Sequence, residues 1–235
     1  MSQALKMKKI LRAVILLLGL FSFLVGASCD SSSRQEPEPE RTAAKDVRQS
    51  QGIIVAMGDS LTAGLGLVTA ESYPAQLEQM LADRGLDYLV VNAGISGETS
   101  SGARARVDWI LKLKPQIVIL ETGANDGLRG IDPALIEENI DHIIARLKQE
   151  NVTVVLAGMQ MVTNLGEAYV SAFNLLYPRL AAKHQVIFMP FFLQGVAAEA
   201  SLNQADGIHP NTMGYRIIST NLLPFVEQAI RKRTP

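Results

Sequence analysis

The pattern of apolar residues divides most of this chain into short hydrophobic runs that alternate with amphipathic segments. Five runs are rich in Val, Ile and Leu, and they are apolar at almost every position rather than at every second one. Such runs are typical of strands that are covered on both faces of a parallel sheet. They span residues 53–57, 88–92, 117–121, 152–158 and 186–189.

The segments between these runs carry apolar residues at helical spacing. Leu77, Met80 and Leu81 recur in this way before Gly85, and glycine is common just after a helix end. The alternation of strands and helices predicts a doubly wound three-layer α/β/α sandwich with a five-stranded parallel sheet, and it leaves the strand order open. Further helices are predicted around 107–111, from an Asp-Pro start at 132–133 to about 147, and over about 166–183 and 211–231.

Residues 1–28 have the layout of a signal peptide. Four basic residues within 6–12 precede an uncharged apolar stretch over 13–27, which ends in small residues. The stretch is shorter than the about 20 apolar residues that a membrane-spanning helix requires. We therefore expect export rather than insertion as a transmembrane helix.

Cys29 is the only cysteine of the chain, so no internal disulfide can form. Residues 25–29 resemble the processing box of bacterial lipoproteins, which implies that Cys29 is lipidated and becomes the new N-terminus. Gly26 stands where that family usually has a large aliphatic residue, so cleavage without lipidation stays open. The resemblance implies an exported, membrane-anchored lipoprotein that faces the periplasm or the cell exterior, in either the inner or the outer membrane.

The composition changes again after this box. Residues 29–51 are rich in Ser, Glu and Pro, with almost no large apolar side chains, which predicts a flexible linker between the lipid-attachment cysteine and a domain at 52–235. A formal net charge of −1 without long basic blocks gives no reason to expect nucleic acid as a partner. We expect a monomer whose contact with the membrane is through Cys29.

Candidate chemistry lies at the two ends of the predicted domain. Ser60 follows the first apolar run, where open α/β sheets place their reactive groups, and Asp206 and His209 lie three residues apart near the other end. A serine hydroxyl needs a positioned base, and a carboxylate can fix the tautomer of that base. Taken alone, Asp59 and Ser60 could merely cap a helix, and Asp206 and His209 could be turn and cap residues.

Four blocks in chain order resemble those of the SGNH (GDSL-type) hydrolases, in the branch of thioesterase I, lysophospholipase L1 and arylesterase. The resemblance implies a flavodoxin-like fold, with Ser60 as nucleophile, His209 as general base and acid, and Asp206 as its orienting carboxylate. It also implies an oxyanion hole of the Ser60 and Gly94 backbone N–H groups and the Asn125 side-chain amide. The blocks are residues 58–64, 92–99, 123–130 and 206–210.

The same resemblance implies hydrolysis of aryl or alkyl esters, lysophospholipids or acyl thioesters through an acyl-Ser60 intermediate. Two alternatives stay open: an O-acetyl esterase acting on cell-wall or surface polysaccharide, and a non-catalytic surface lipoprotein that binds acyl chains. Met159, Met161 and Leu165 could line an acyl groove, although methionine also serves as core filler. No cluster of His, Cys and carboxylates has metal-ligand spacing, so we expect neither a metal nor another cofactor.

Overall fold

The computed structural model describes residues 50–161 and 165–233. The predicted signal peptide, Cys29 and the linker up to residue 49 lie outside the described residues. Within the described ranges, no helix combines the length and the apolar character needed to cross a membrane.

The centre of the fold is a five-stranded sheet in which every neighbouring pair is parallel. The strand order is β2-β1-β3-β4-β5, so β2 and β5 are the edges. Residues 54–57 of β1 and 117–120 of β3 are completely buried, which explains why these runs are apolar at every position. The strands are β1 (Gly52–Gly58), β2 (Tyr88–Gly94), β3 (Ile117–Glu121), β4 (Thr153–Ala157) and β5 (Ile187–Met189).

Helices cover both faces of the sheet and confirm the predicted three layers. The second and last helices pack against each other on one face, and the third, fourth, sixth and seventh cover the other. The helices are α1 (Ser60–Ala63), α2 (Tyr73–Ala82), α3 (Ser100–Ala105), α4 (Val107–Lys112), α5 (Ala124–Leu128), α6 (Pro133–Gln149), α7 (Glu167–His184) and α8 (Thr212–Arg233).

The element boundaries follow local signals in most places. Asp132 caps α6 by accepting a hydrogen bond from the Ala134 N–H, directly before Pro133 at the first helical position. In contrast, β2 continues two residues past the predicted end at 92, because its pairing with β1 extends to Gly58 opposite Gly94. This extension places Gly94, a predicted site residue, inside the strand.

The strand order creates a crevice at the carboxyl ends of the strands. The chain leaves β1 toward α2 on one face of the sheet, and it leaves β3 toward α6 on the other face. In doubly wound sheets, ligands bind where neighbouring strands diverge in this way. Ser60 follows β1 and Asn125 follows β3, so both residues flank this crevice.

Candidate active site

Ser60 is the first residue of the short helix α1, directly after β1. The Asp59 side chain caps this helix, since its Oδ1 accepts a hydrogen bond from the Leu61 N–H at 2.9 Å. Gly64 closes the helix in the left-handed conformation with φ of 77°, which glycine adopts without steric cost. The cap therefore belongs to Asp59, and the Ser60 hydroxyl remains available to the crevice.

Ser60, His209 and Asp206 form one continuous chain of hydrogen bonds. The Ser60 Oγ lies 2.9 Å from His209 Nε2, and His209 Nδ1 lies 2.7 Å from Asp206 Oδ2. These contacts join residues separated by 149 positions in the sequence. The structure thus brings together the three residues that the sequence singled out as nucleophile, base and carboxylate.

The turn that carries His209 is held by its own side chains. Asp206 Oδ1 accepts the backbone N–H groups of Ile208 and His209 at 2.9 and 3.0 Å, while its Oδ2 faces the imidazole. Gln204 fastens the same turn to the loop after α1, because its Nε2 donates to the Leu65 and Pro210 carbonyls. Asp206 is therefore a turn residue and the imidazole's partner at the same time.

The hydrogen bonds to Asp206 also fix its charge. The backbone N–H groups of His209 and Ile208, together with the imidazole, lower the pKa of this carboxyl to about 2. An ionised carboxylate can only accept, so His209 Nδ1 must carry the proton that it donates to Asp206. In the neutral ring, Nε2 is then the lone-pair nitrogen, which is the tautomer that can take the Ser60 proton.

The predicted oxyanion donors differ in whether their hydrogens already have acceptors in the protein. The Ser60 N–H has no acceptor in the described part of the chain. Asn125 lies at the site, but its Nδ2 donates to Asp59 Oδ2 at 3.0 Å and to the Glu98 carbonyl at 3.1 Å, so both amide hydrogens are engaged. The Asn125 amide is therefore held from two sides at the mouth of the crevice.

Gly94 differs from its expected role. Its N–H donates to Asn92 Oδ1 at 3.0 Å, which leaves no free donor, and the residue still belongs to β2. A Cβ atom at this position would collide with the backbone nitrogen of Ala63, so glycine is required here for the close approach of β2 and α1. Gly94 is therefore explained by packing rather than by oxyanion binding.

Gly97, in the same block as Gly94, is not among the site residues predicted from the sequence. It lies in a tight turn closed by the hydrogen bond from the Glu98 N–H to the Ile95 carbonyl, with φ of 78°. Its own N–H has no acceptor among residues 50–161 and 165–233. The next residue, Glu98, contacts Asn125 through its carbonyl. The end of β2 distinguishes the two glycines, because Gly94 lies inside the strand and Gly97 lies beyond it. A single sequence does not show where the strand ends.

A buried ion pair connects the turn at Gly97 to the end of β1. Arg106 binds both carboxylate oxygens of Glu98 at 2.7 and 2.6 Å, and its Nη2 also donates to the Gly58 carbonyl at 3.2 Å. Their side chains are only 13% and 7% exposed, so the pair is held with little water around it. No pattern in the sequence singles out these residues, because their role depends on contacts with the end of β1.

An apolar cavity of about 340 Å³ opens beside Ser60 and His209. Of the three residues predicted for an acyl groove, Met159 and Met161 line this cavity, whereas Leu165 is exposed and does not line it. Phe191 and Leu193, from the chain after β5, complete much of its apolar wall. No group of His, Cys, Asp and Glu side chains within the described ranges could hold a metal ion.

Comparison with known proteins identifies the family. Residues 56–217 match the family described as GDSL-like lipase/acylhydrolase, which spans every element from β1 into α8. The chain belongs to this family. As a GDSL-type hydrolase, it acts on small molecules that carry an acyl group.

Curated relatives of this GDSL-type hydrolase cover most of its length. The esterase TesA of Pseudomonas aeruginosa is 41% identical over 172 residues, which are 73% of this chain and 86% of the relative. The arylesterase of Vibrio mimicus is 37% identical over 69% of this chain and 82% of its own length. The thioesterase 1/protease 1/lysophospholipase L1 of Escherichia coli K12 is 37% identical over 73% of this chain and 78% of its own.

Solved structures agree with the GDSL-type fold. The crystal structure of TesA superposes with a TM-score of 0.73 at 40% identity, over 75% of this chain and 99% of the other. AlinE4, an esterase of the SGNH-hydrolase family, gives a TM-score of 0.65 at 37% identity, over 78% and 97% of the two chains. The flavodoxin-like fold that the motifs implied is thus confirmed.

Proposed function

We propose that this protein is a serine esterase or thioesterase that transfers the acyl group of its substrate to Ser60. The observation that carries the proposal is the unbroken hydrogen-bond chain from Ser60 Oγ through His209 to Asp206. A serine in such a chain is activated at neutral pH, because the base removes its proton as the oxygen attacks. Family membership agrees with this chemistry.

The reaction proceeds in two halves. Ser60 Oγ attacks the acyl carbonyl carbon while its proton passes to His209 Nε2, and Asp206 stabilises the imidazolium that forms. The tetrahedral intermediate then expels an alcohol or a thiol, which takes the proton from Nε2. In the second half, His209 removes a proton from water, which attacks the acyl-Ser60 ester and releases the carboxylic acid.

The negative oxygen of the intermediate requires fixed donors. We assign the backbone N–H groups of Ser60 and Gly97, neither of which has an acceptor among the described residues, and the side-chain amide of Asn125. Because both hydrogens of this amide already have acceptors, one of them would be shared between a protein oxygen and the oxyanion. Each donor of this kind is worth roughly 3 to 4 kcal/mol of transition-state stabilisation.

The shape of the cavity favours an acyl chain over a bare acetyl group. Its wall is formed mainly by apolar side chains, including Leu128, Met159 and Phe191. The relatives are named esterase, arylesterase, and thioesterase with lysophospholipase. We therefore propose aryl or alkyl esters, acyl thioesters and lysophospholipids as the substrate class. The alternative activity is removal of O-acetyl groups from polysaccharide.

A series of p-nitrophenyl esters of increasing chain length tests this function. Since each buried CH₂ contributes about 0.8 kcal/mol, kcat/KM should rise about fourfold per added carbon until the cavity is full. Ala197 lines the cavity, so Ala197→Phe should lower kcat/KM for the long esters and leave the acetate little changed.

Ala200→Phe is the matched control, because Ala200 is an exposed residue outside the lining set. It should leave the whole series unchanged. Activity on acetate alone, with no gain for longer chains, would favour the O-acetyl esterase. Folded protein without activity on any ester would favour the non-catalytic acyl-binding lipoprotein.

We further propose that the protein is exported and anchored in a membrane through a lipid on Cys29. The support is the signal-peptide layout of 1–28 and the processing-box resemblance of 25–29. In cells, the full chain should sediment with membranes and incorporate labelled palmitate, and Cys29→Ala should remove the label. Label that persists in the Cys29→Ala variant, or a wild-type chain that takes up no palmitate and stays in the soluble fraction, would overturn the anchor.

A further inference from the structure

A second carboxyl group lies buried behind the active site and takes no part in the steps above. Glu121 is the last residue of β3 and is completely buried. Its Oε2 accepts the Thr62 hydroxyl at 2.9 Å and the Asp59 N–H at 3.3 Å, while its Oε1 has no partner in the described structure. An acceptor left without a partner in such a place calls for an explanation.

Asp59 is almost as deeply buried as Glu121, and the two residues are adjacent, since the Asp59 N–H donates to Glu121 Oε2 at 3.3 Å and each carboxyl group affects the pKa of the other. No ion pair in the described part of the chain involves either residue. Two adjacent carboxylates without a cation and away from water are strongly unfavourable, because each charge loses its hydration and repels the other. One proton retained between them removes one of these charges.

The surroundings indicate which residue carries the proton. Asp59 accepts two N–H donors, from Leu61 and from the Asn125 amide, and these favour its ionised form. Glu121 has one oxygen without a donor, so a proton there turns an unsatisfied acceptor into a donor toward Asp59. Burial raises the pKa of both groups, and raises that of Glu121 well above its usual value. The other titratable groups that face the pair are Tyr73, Tyr177, Tyr215 and His209.

We propose that Glu121 is the protonated member of a shared pair and acts as a positioning residue, which keeps Asp59 ionised and thereby holds the Asn125 amide at the oxyanion position. This inference rests on the proposed function, since it gives Asn125 a catalytic role. Glu121 itself touches no substrate. Its effect passes through Asp59 Oδ2 to Asn125 Nδ2, across the 3.0 Å hydrogen bond.

The protonation state can be measured directly in the wild-type protein. With ¹³C-labelled glutamate, one carboxyl carbon should keep the NMR shift of a protonated acid at neutral pH. That signal should be missing from Glu121→Gln. Spectra in which every glutamate is ionised at neutral pH would overturn the proposal. This readout does not depend on ester hydrolysis, so it separates the present inference from the proposed function.

Kinetics test the positioning role. Glu121→Leu keeps the approximate side-chain volume but removes the donor to Asp59, so kcat should fall roughly 100-fold with little change in KM, since a misplaced oxyanion donor weakens only the transition state. Glu121→Gln can donate to Asp59 as the acid does, and it should restore kcat to within about threefold of the wild type.

The control for both variants is Glu150→Gln, a half-exposed residue just after α6 at the opposite end of the sheet. It should change neither kcat nor the protonated-acid signal. A wild-type kcat in folded Glu121→Leu would overturn the positioning role. A Glu121→Gln variant as slow as Glu121→Leu would overturn the assignment of the proton to Glu121.

Discussion

Replacement of Ser60 by alanine should lower kcat for ester hydrolysis by roughly 10⁵- to 10⁶-fold, to the level that binding and the oxyanion donors alone sustain. The change removes a single oxygen from a residue that is 8% exposed, and alanine fits the first turn of α1. Thermal unfolding should therefore be nearly unaffected, so the loss reports on chemistry. The measurement is kcat on a p-nitrophenyl ester with an unfolding curve for each protein.

Fluorophosphonate labelling gives an independent reading of the same prediction. The wild type should carry the label on the peptide that contains Ser60, and the Ser60→Ala protein should carry none. Ser201→Ala is the matched control, because Ser201 is exposed and its hydroxyl donates to the Glu199 side chain, two residues away. Retention of more than about a tenth of the activity in folded Ser60→Ala would remove Ser60 from the mechanism.

The sheet was predictable from the sequence where burial alone determines the pattern. Strands β1 and β3 have neighbours on both edges and helices on both faces, so the side chains at 53–57 and 117–120 are all apolar. The order of the strands was not predictable, because it depends on which crossover helices pack together. The pairing of α2 with α8, in which α8 also lies against β3, β4 and β5, is a contact between distant parts of the chain.

The site was predictable where its geometry is local. Asp206 contacts His209 within a single turn, so their three-residue spacing in the sequence already predicts the contact. The placements of Gly94 and Gly97 depend on how far β2 pairs with β1, and no local signal records this. Arg106 and Glu121 act through contacts with the end of β1, 48 and 62 residues away in the chain. The sequence therefore singles out the three residues of the hydrogen-bond chain, Ser60, His209 and Asp206, but not the groups that hold the proposed oxyanion donors.

Asp206→Asn should lower kcat by roughly 10³- to 10⁴-fold while the turn keeps its shape. The asparagine oxygen can still accept the Ile208 and His209 N–H groups, as Asp206 Oδ1 does. Its amide nitrogen, however, can only donate toward His209 Nδ1, which forces the ring proton onto Nε2. The nitrogen that faces Ser60 then has no lone pair to receive a proton. Stopped-flow or steady-state kinetics with the same p-nitrophenyl esters measure the loss of kcat.

The pH dependence separates this explanation from a simple loss of packing. In the wild type, the Asp206 carboxyl has its pKa lowered to about 2, so it stays ionised throughout the working range and contributes no limb of its own to the pH profile of kcat/KM. The loss in Asp206→Asn should therefore persist at every pH of that range, because no pH restores the acceptor for the Nδ1 proton. Asp206→Glu serves as the comparison, because it keeps the charge and should retain more of the activity than Asp206→Asn. A kcat of Asp206→Asn within tenfold of the wild type, or an Asp206→Glu variant as slow as Asp206→Asn, would show that the contact between this carboxylate and His209 does not set the state of the base.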